Sequence, residues 1–142
     1  MGMRAAITMV LIDDHVELRE AIKQRIELRT RFVVVGEAAD GEAGIALVER
    51  LRPQAVLVDV RLPGIAGDEV VRTIRRRWPD VQVLAMSSST DLDAVGSMLK
   101  AGAAGYLMKG DSVDDLEYRV FGAGEGPAAA PWSSPGRRGP RS

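Results

Sequence analysis

Two adjacent aspartates, Asp13 and Asp14, stand directly after an apolar run near the start of the chain. At an effective dielectric constant of about 20, two unit charges about 4 Å apart repel each other by about 4 kcal/mol. Three further polar residues, Asp59, Ser87 and Lys109, also follow apolar runs later in the chain. Three carboxylates and an ammonium group could bind a cation or a phosphoryl group if the fold brings them together.

Five short apolar runs indicate the strands that would carry these polar residues. They are rich in β-branched residues or leucine, and most are nearly continuous rather than alternating. This is typical of strands that are covered on both faces of a parallel sheet. The five runs are Ile7–Ile12, Phe32–Val35, Ala55–Val60, Val81–Met86 and Ala103–Met108.

Each run is followed by a segment whose apolar residues have helical spacing. The predicted apolar helix positions are Leu18, Ile22 and Ile26; Ala43, Leu47 and Leu51; Val70, Ile74 and Trp78; Leu92, Val95 and Leu99; and Val113, Leu116 and Val120. Strands that alternate with helices of this size predict right-handed βαβ units in a three-layer α/β sandwich. The pattern predicts five βα units but leaves the order of the strands open.

The predicted fold brings the polar residues to one place, because ligands of open α/β sheets bind beyond the carboxyl ends of the strands. The chain has no cysteine, and its single histidine, His15, is interpreted as a surface residue at the start of the first helix. Clustered carboxylates without nitrogen or sulfur ligands favour Mg²⁺ or Mn²⁺. We therefore expect a divalent cation among the three aspartates.

Such a site could also hold a phosphoryl group. The cation and the Lys109 ammonium would neutralise the phosphoryl oxygens, and the Ser87 hydroxyl could donate a hydrogen bond to one of them. A carboxylate can itself attack phosphorus and form an aspartyl phosphate. The residues thus predict a Mg²⁺-dependent phosphoryl-accepting site. The alternative is a Mg²⁺-dependent phosphohydrolase that works through an aspartyl-phosphate intermediate.

Several separated motifs resemble the receiver domain of bacterial two-component response regulators. In chain order they are VLIDDH, VLVDVRLPGIAG, VLAMSSS and AGAAGYLMKG. The resemblance covers roughly residues 7–122, and it is strongest to the subgroup that is usually joined to a helix-turn-helix DNA-binding domain. It implies a flavodoxin-like parallel sheet with strand order 2-1-3-4-5.

The resemblance implies a role for each acidic residue of the rim. Asp59 corresponds to the phosphoacceptor. Asp14 and Asp59 would bind Mg²⁺ directly, together with the backbone carbonyl of Arg61, whereas Asp13 would act through water.

The resemblance also implies a switch. Lys109 would pair with a carboxylate before phosphorylation and with the phosphoryl group afterwards. Ser87 would hydrogen-bond the phosphoryl group, and the ring of Tyr106 would move from an exposed to a buried position as the loop after Ser87 closes.

The expected function is a phosphorylation-controlled signalling module rather than an enzyme with a separate substrate. A histidine kinase would phosphorylate Asp59, and the face formed by the fourth helix, fifth strand and fifth helix would change. That face would then control an output partner in transcription regulation, or pair with a second copy as a homodimer. The phosphohydrolase alternative usually needs a second acid on the nucleophile strand and a cap, and VRLPG after Asp59 contains no acid.

The length of 142 residues suits one domain. With 19 Lys and Arg against 20 Asp and Glu, no global attraction to nucleic acid or membrane is expected. We expect a receiver domain at residues 1–122 and a disordered tail at 123–142, which is rich in Gly, Pro, Ala and Arg. Without a spanning segment, the chain is expected to be cytoplasmic. We expect no DNA-binding domain within these 142 residues. A stand-alone receiver, a fragment of a longer regulator and a natural truncation all agree with this expectation.

Overall fold

The structure is a computed structural model that describes residues 5–88 and 91–122. Strands and helices alternate along this part of the chain, which confirms the predicted α/β class. The strands are β1 (Ile7–Ile12), β2 (Phe32–Ala38), β3 (Ala55–Asp59), β4 (Gln82–Ser87) and β5 (Gly105–Met108). The helices are α1 (Val16–Arg29), α2 (Gly41–Leu51), α3 (Gly67–Arg77), α4 (Leu92–Ala101) and α5 (Leu116–Phe121).

The strands of the described residues form one parallel sheet in the order β2-β1-β3-β4-β5. This confirms the strand order that the family resemblance implies. The strand β2 is longer than its apolar run, because pairing with β1 continues to Ala38 past a register shift between Met9 and Val10. Since β3 lies between β1 and β4, the carboxyl ends of these three strands are neighbours at one rim.

Both faces of the sheet are covered by helices. One core contains residues of α1 and α5, where Phe32 and Phe121 stack with their ring centroids 6.2 Å apart. The other core contains residues of α2, α3 and α4. Successive residues of β3 enter opposite cores, Leu57 the first and Val58 the second. This double burial explains why the apolar runs of the sequence are nearly continuous.

The buried face of α2 differs from the face that the sequence pattern predicts. Ala43 and Leu51 are exposed, whereas Gly44 and Val48 are buried. A Cβ atom at position 44 would lie 2.3 Å from Cδ1 of Ile12, so the helix approaches the sheet through a glycine. A sequence pattern based on large apolar residues does not detect a close approach that depends on a glycine having no side chain.

The helix α4 also buries a different set of residues from the predicted one. Val95 and Met98 are buried, but Leu92 is 68% exposed and Leu99 is also exposed. The apolar residues of α4 therefore occupy two faces, and only one of them packs on α3 and the sheet. The other face leaves two leucine side chains in contact with solvent.

Within the described residues, no helix combines the length and the apolar character that are needed to cross a membrane. The helix α5 is short, six residues ending at Phe121. The predicted tail at 123–142 lies outside the described residues.

We expect Gly67→Ala to destabilise the protein by about 1–3 kcal/mol, because its Cβ would overlap backbone atoms that cannot easily move. That atom would lie 2.8 Å from the backbone oxygen of Asp59 and 3.1 Å from the backbone oxygen of Val60. The matched control is Gly96→Ala in α4, where a Cβ would meet nothing within 4 Å. The control should be stabilised by about 0.5–1 kcal/mol through helix propensity. Urea denaturation of both variants checks the pair, and equal effects would contradict the proposed close approach.

Candidate functional site

The ends of four strands bring the predicted polar residues to one rim of the sheet. Asp59 is the last residue of β3 and Ser87 the last of β4. Asp13 and Lys109 directly follow β1 and β5. The predicted convergence is therefore present in the structure.

Lys109 joins the two buried aspartates of this rim. Its Nζ lies 2.8 Å from Oδ2 of Asp59 and 2.8 Å from Oδ2 of Asp13. Asp13 and Asp59 are buried, and little of the Lys109 side chain reaches solvent. One ammonium group thus balances part of the charge of two carboxylates that burial would otherwise penalise.

Backbone amides orient the other oxygen of each buried carboxylate. The amide of His15 donates to Oδ1 of Asp13 at 3.0 Å, and the amide of Arg61 donates to Oδ1 of Asp59 at 3.0 Å. Each amide belongs to the residue two positions after the acceptor, so the turn that follows each strand supplies it. Both carboxylates are therefore held in a defined orientation by local structure.

The environment changes the pKa values of these three groups in different directions. Burial raises the pKa of Asp13, but hydrogen bonds from Lys109 and the His15 amide outweigh it, and the net pKa lies below the usual 3.8. For Asp59, burial prevails over the same kinds of hydrogen bond, and its pKa is raised. Burial lowers the pKa of Lys109, but the two carboxylates more than compensate, so that its pKa is raised. The lysine therefore stays protonated at neutral pH.

The environments of the two neighbouring aspartates differ: Asp14 is exposed, whereas Asp13 is buried. Asp14 lines a surface pocket together with His15, Arg61 and Pro63. One donor atom from each of Asp13, Asp14, His15 and Asp59 lies within 4.8 Å of the others. Carboxylate oxygens in this number fit a hard divalent cation such as Mg²⁺. The ligand roles of Asp14, Asp59 and the Arg61 carbonyl, and the water-mediated role of Asp13, stay predictions.

The predicted switch residues lie on the two strands β4 and β5. Ser87 is buried, and its backbone oxygen accepts a hydrogen bond from the amide of Lys109 at 2.8 Å. Tyr106 lies on β5 and is 39% exposed. This exposure matches the position that the resemblance implies before phosphorylation, and the movement itself stays a prediction.

Sequence reasoning missed two arginines of α1 that hold the rim in place. The guanidinium of Arg19 donates to the backbone oxygen of Asp13 at 2.6 Å, and that of Arg25 donates to the backbone oxygen of Lys109 at 2.8 Å. Arg19 also pairs with Glu37 at 3.0 Å. Their spacing in the sequence carries no signal of these contacts, which depend on how α1 packs against the sheet.

Sequence reasoning also missed a contact between the loop after β3 and the start of α4. The guanidinium of Arg61, whose side chain is 72% exposed, pairs with Asp91. Asp91 also caps α4, because its carboxylate accepts a hydrogen bond from the amide of Ala94 at 3.1 Å. The loop after β3 is thus connected to the start of α4.

The exposed aspartate allows a test of the metal ligands. We expect Asp14→Asn to weaken Mg²⁺ binding by roughly tenfold or more, because it removes a charged oxygen ligand. Isothermal titration calorimetry measures the affinity. Asp93→Asn, an exposed aspartate on α4 away from this pocket, is the control and should bind Mg²⁺ like the unmodified protein. Equal affinities of all three proteins would exclude Asp14 as a ligand.

Comparison with known proteins yields a consistent set of relatives. The family model described as the response regulator receiver domain matches residues 9–121. The chain is 38% identical over 122 residues to the transcriptional regulatory protein DegU of Brevibacillus brevis, which covers 86% of this chain and 52% of DegU. It is 37% identical over 126 residues to the nitrate/nitrite response regulator NarL of Escherichia coli K12, which covers 89% of this chain and 58% of NarL.

Solved structures give the same result. The signal receiver domain of the response regulator NarL from Mycobacterium tuberculosis has a TM-score of 0.73 at 31% identity, covering 79% of this chain and 93% of that one. A LuxR-family two-component response regulator from Aurantimonas has a TM-score of 0.72 at 31% identity, covering 79% and 80%. The chain spans little more than half the length of the curated relatives DegU and NarL.

Proposed function

The chain belongs to the response regulator receiver domain family of two-component systems, and from that premise we propose that it accepts a phosphoryl group on Asp59. The observation that carries this proposal is the ion-paired cluster in which Lys109 lies 2.8 Å from both Asp59 and Asp13. A buried carboxylate beside a fixed ammonium group is suited to receive a phosphoryl group and to hold its charge.

The transfer is a substitution at phosphorus. A carboxylate oxygen of Asp59 attacks, the bond between phosphorus and the donor breaks, and an aspartyl phosphate forms. With a histidine kinase as donor, the broken bond is the one from phosphorus to an imidazole nitrogen, and the bonding electrons leave with that nitrogen. Lys109, already paired with Asp59, then faces the new phosphoryl oxygens, and Ser87 donates a hydrogen bond to them.

Mg²⁺ would be held by Asp14, Asp59 and the backbone carbonyl of Arg61, with Asp13 acting through water. When bound, the cation neutralises the negative charge on the transferred group. The chain itself positions the reacting groups: two backbone amides orient Asp13 and Asp59, and Arg25 holds the backbone of Lys109. Mn²⁺ has a similar ligand preference and is expected to substitute.

The output of the switch is proposed at the face formed by α4, β5 and α5. Four large apolar residues are exposed on these elements: Leu92, Leu99, Tyr106 and Tyr118. Burial of the Tyr106 ring after phosphorylation would change this surface and favour an output partner or a second copy of the chain. Since relatives such as DegU are transcriptional regulators, transcription is the proposed process under control.

The proposed domain, residues 1–122, would perform this reaction on itself and have no separate substrate. A phosphohydrolase that uses the same intermediate is not favoured, because the position two residues after Asp59 is Arg61 rather than an acid.

Acetyl phosphate with Mg²⁺ tests the proposal directly. We expect the intact mass to increase by one phosphoryl group, and peptide mapping to locate the group on Asp59. An unchanged mass under saturating donor and Mg²⁺, or a group on another residue, would overturn the proposal. Chelation of Mg²⁺ before the donor is added is the control and should prevent the increase.

A further inference from the structure

The imidazole of His15 lies against the acidic cluster. Its Nδ1 is 3.2 Å from Oδ1 of Asp14 and 3.5 Å from Oδ1 of Asp13. Together with Asp59, these residues place four donor atoms within 4.8 Å of one another. The sequence interpretation of His15 as a surface residue is correct about exposure, since its side chain is 62% exposed, but it leaves out this proximity.

The local structure places the backbone of His15 beside the cluster. His15 occupies the N-cap position of α1, yet its side chain makes no capping hydrogen bond. Its backbone amide instead donates to Oδ1 of Asp13. This bond holds the backbone of His15 beside the carboxylate, and His15 and Asp14 line the same surface pocket.

We propose that His15 is a nitrogen ligand of this site, through which it binds borderline transition-metal ions such as Ni²⁺ and Zn²⁺ in preference to Mg²⁺. The inference rests on the cation site of the proposed function, namely Asp14 and Asp59. It adds a ligand and a metal selectivity to that site.

The geometry is compatible with a shared ion. Ligands that each lie about 2.1 Å from an octahedral metal ion are separated by about 3 Å when adjacent and about 4.2 Å when opposite. The distances from His15 Nδ1 to Asp14 and Asp13, 3.2 Å and 3.5 Å, lie within this interval. The longest separation in the group is at most 4.8 Å, which is slightly beyond the upper end of this interval.

The chemistry gives the selectivity. Imidazole suits Ni²⁺, Cu²⁺ and Zn²⁺, whereas Mg²⁺ prefers oxygen ligands and keeps several waters. The chain contains a single histidine and no cysteine, so His15 is its only imidazole ligand and no thiolate competes. An effect of His15 should therefore appear for Ni²⁺ or Zn²⁺ and be nearly absent for Mg²⁺.

Calorimetric titration of untagged protein with Ni²⁺ and with Mg²⁺ tests the proposal. We expect His15→Gln to weaken Ni²⁺ binding by about tenfold or more and to change Mg²⁺ binding by less than about twofold. Asp14→Asn is the comparison variant and should weaken both ions. Equal losses of both ions in His15→Gln, or no loss of Ni²⁺ affinity, would overturn the proposal. Equal unfolding midpoints without metal check that each variant is folded.

Nuclear magnetic resonance gives a second readout that does not depend on affinity. Only one imidazole contributes side-chain signals, so the histidine resonances report on His15 alone. Diamagnetic Zn²⁺ should shift these signals strongly, and Mg²⁺ should shift them little. Unshifted signals at saturating Zn²⁺ would overturn the assignment of the ligand.

The outcomes distinguish this inference from the proposed function. Acetyl phosphate labelling with Mg²⁺ on Asp59, combined with unchanged Ni²⁺ affinity in His15→Gln, would refute the inference alone. A selective loss of Ni²⁺ affinity without labelling of Asp59 would support the inference and refute the phosphoryl-accepting function. If the unmodified protein binds neither ion, both fail.

Discussion

Lys109→Met should lower the free energy of unfolding at pH 7, without metal, by about 3 kcal/mol or more. The reason is that Asp13 and Asp59 are buried and both lie 2.8 Å from the Lys109 ammonium. Methionine retains the length of the apolar stem but leaves two adjacent carboxylates without their cation. Urea denaturation in the presence of a chelator measures the loss.

The loss should depend on pH in a defined direction. The pKa of Asp13 is lowered in the folded protein from its usual 3.8, so its ion pair contributes stability above that pH. This contribution disappears as the pH falls through the lowered folded pKa. The difference between Lys109→Met and the unmodified protein should thus be large at neutral pH and shrink in acid.

A lysine at a partly exposed ion pair is the matched control. Lys23 pairs with Glu37 at 2.9 Å, but its side chain is partly exposed and solvent screens the pair. Lys23→Met should therefore change stability much less than Lys109→Met. Similar losses for both variants would show that the cluster is not the source of the effect.

Asp59→Asn should abolish phosphoryl acceptance, with the rate reduced by more than about 100-fold, because an amide is not a nucleophile toward phosphorus under these conditions. Intact-mass measurement after incubation with acetyl phosphate and Mg²⁺ checks this result. Labelling of Asp59→Asn at the rate of the unmodified protein would exclude Asp59 as the acceptor.

The same substitution should increase stability at neutral pH. Burial raises the pKa of Asp59, so that the folded protein binds the proton of this carboxyl more tightly than the unfolded chain does. A raised pKa contributes stability that is complete below the unfolded value and is lost as the pH rises through the folded pKa. At pH 7 the ionised Asp59 carboxylate therefore destabilises the folded protein, and the neutral side chain of asparagine removes this destabilisation.

Two controls separate charge from other effects of this substitution. Asp93→Asn removes an exposed aspartate of α4 and should alter neither phosphoryl acceptance nor the pH dependence of unfolding. Asp13→Asn removes the other partner of Lys109, whose pKa is lowered rather than raised, and should decrease stability at pH 7. A decrease in stability for Asp59→Asn as well would contradict the direction of the Asp59 pKa.

The sequence was sufficient for the class of fold and for the carboxylates of the site. Nearly continuous apolar runs identify strands buried on both faces, and the polar residue at the end of each run is carried to the rim by parallel pairing. Asp59, Ser87 and Lys109 could be named in this way because each ends a strand or directly follows one.

Contacts between distant elements could not be obtained in the same way. Arg25 of α1 reaches the backbone of Lys109 across 84 positions of sequence, and Arg61 reaches Asp91 across 30. Long side chains of this kind have many rotamers, and the packing of the helices selects which partner they meet. No spacing rule within one segment contains that information.

The buried faces of the helices also divide into those that the sequence predicts and those that it does not. The apolar spacing of α3 predicts its buried face, with Val70 and Ile74, because large side chains make the contact. In α2 the closest approach to the sheet is at Gly44, where absence of a side chain brings the helix near Ile12. Hydrophobic periodicity reports only contacts made by large residues.

The sequence alone determined the alternation of strands and helices and the set of carboxylates, because both depend on local periodicity and on strand ends. The tertiary structure decided how the two neighbouring aspartates differ: Asp13 is buried against Lys109, and Asp14 remains exposed beside His15. Adjacent residues at a strand end point in different directions, and the surroundings of each depend on elements that are distant in the chain.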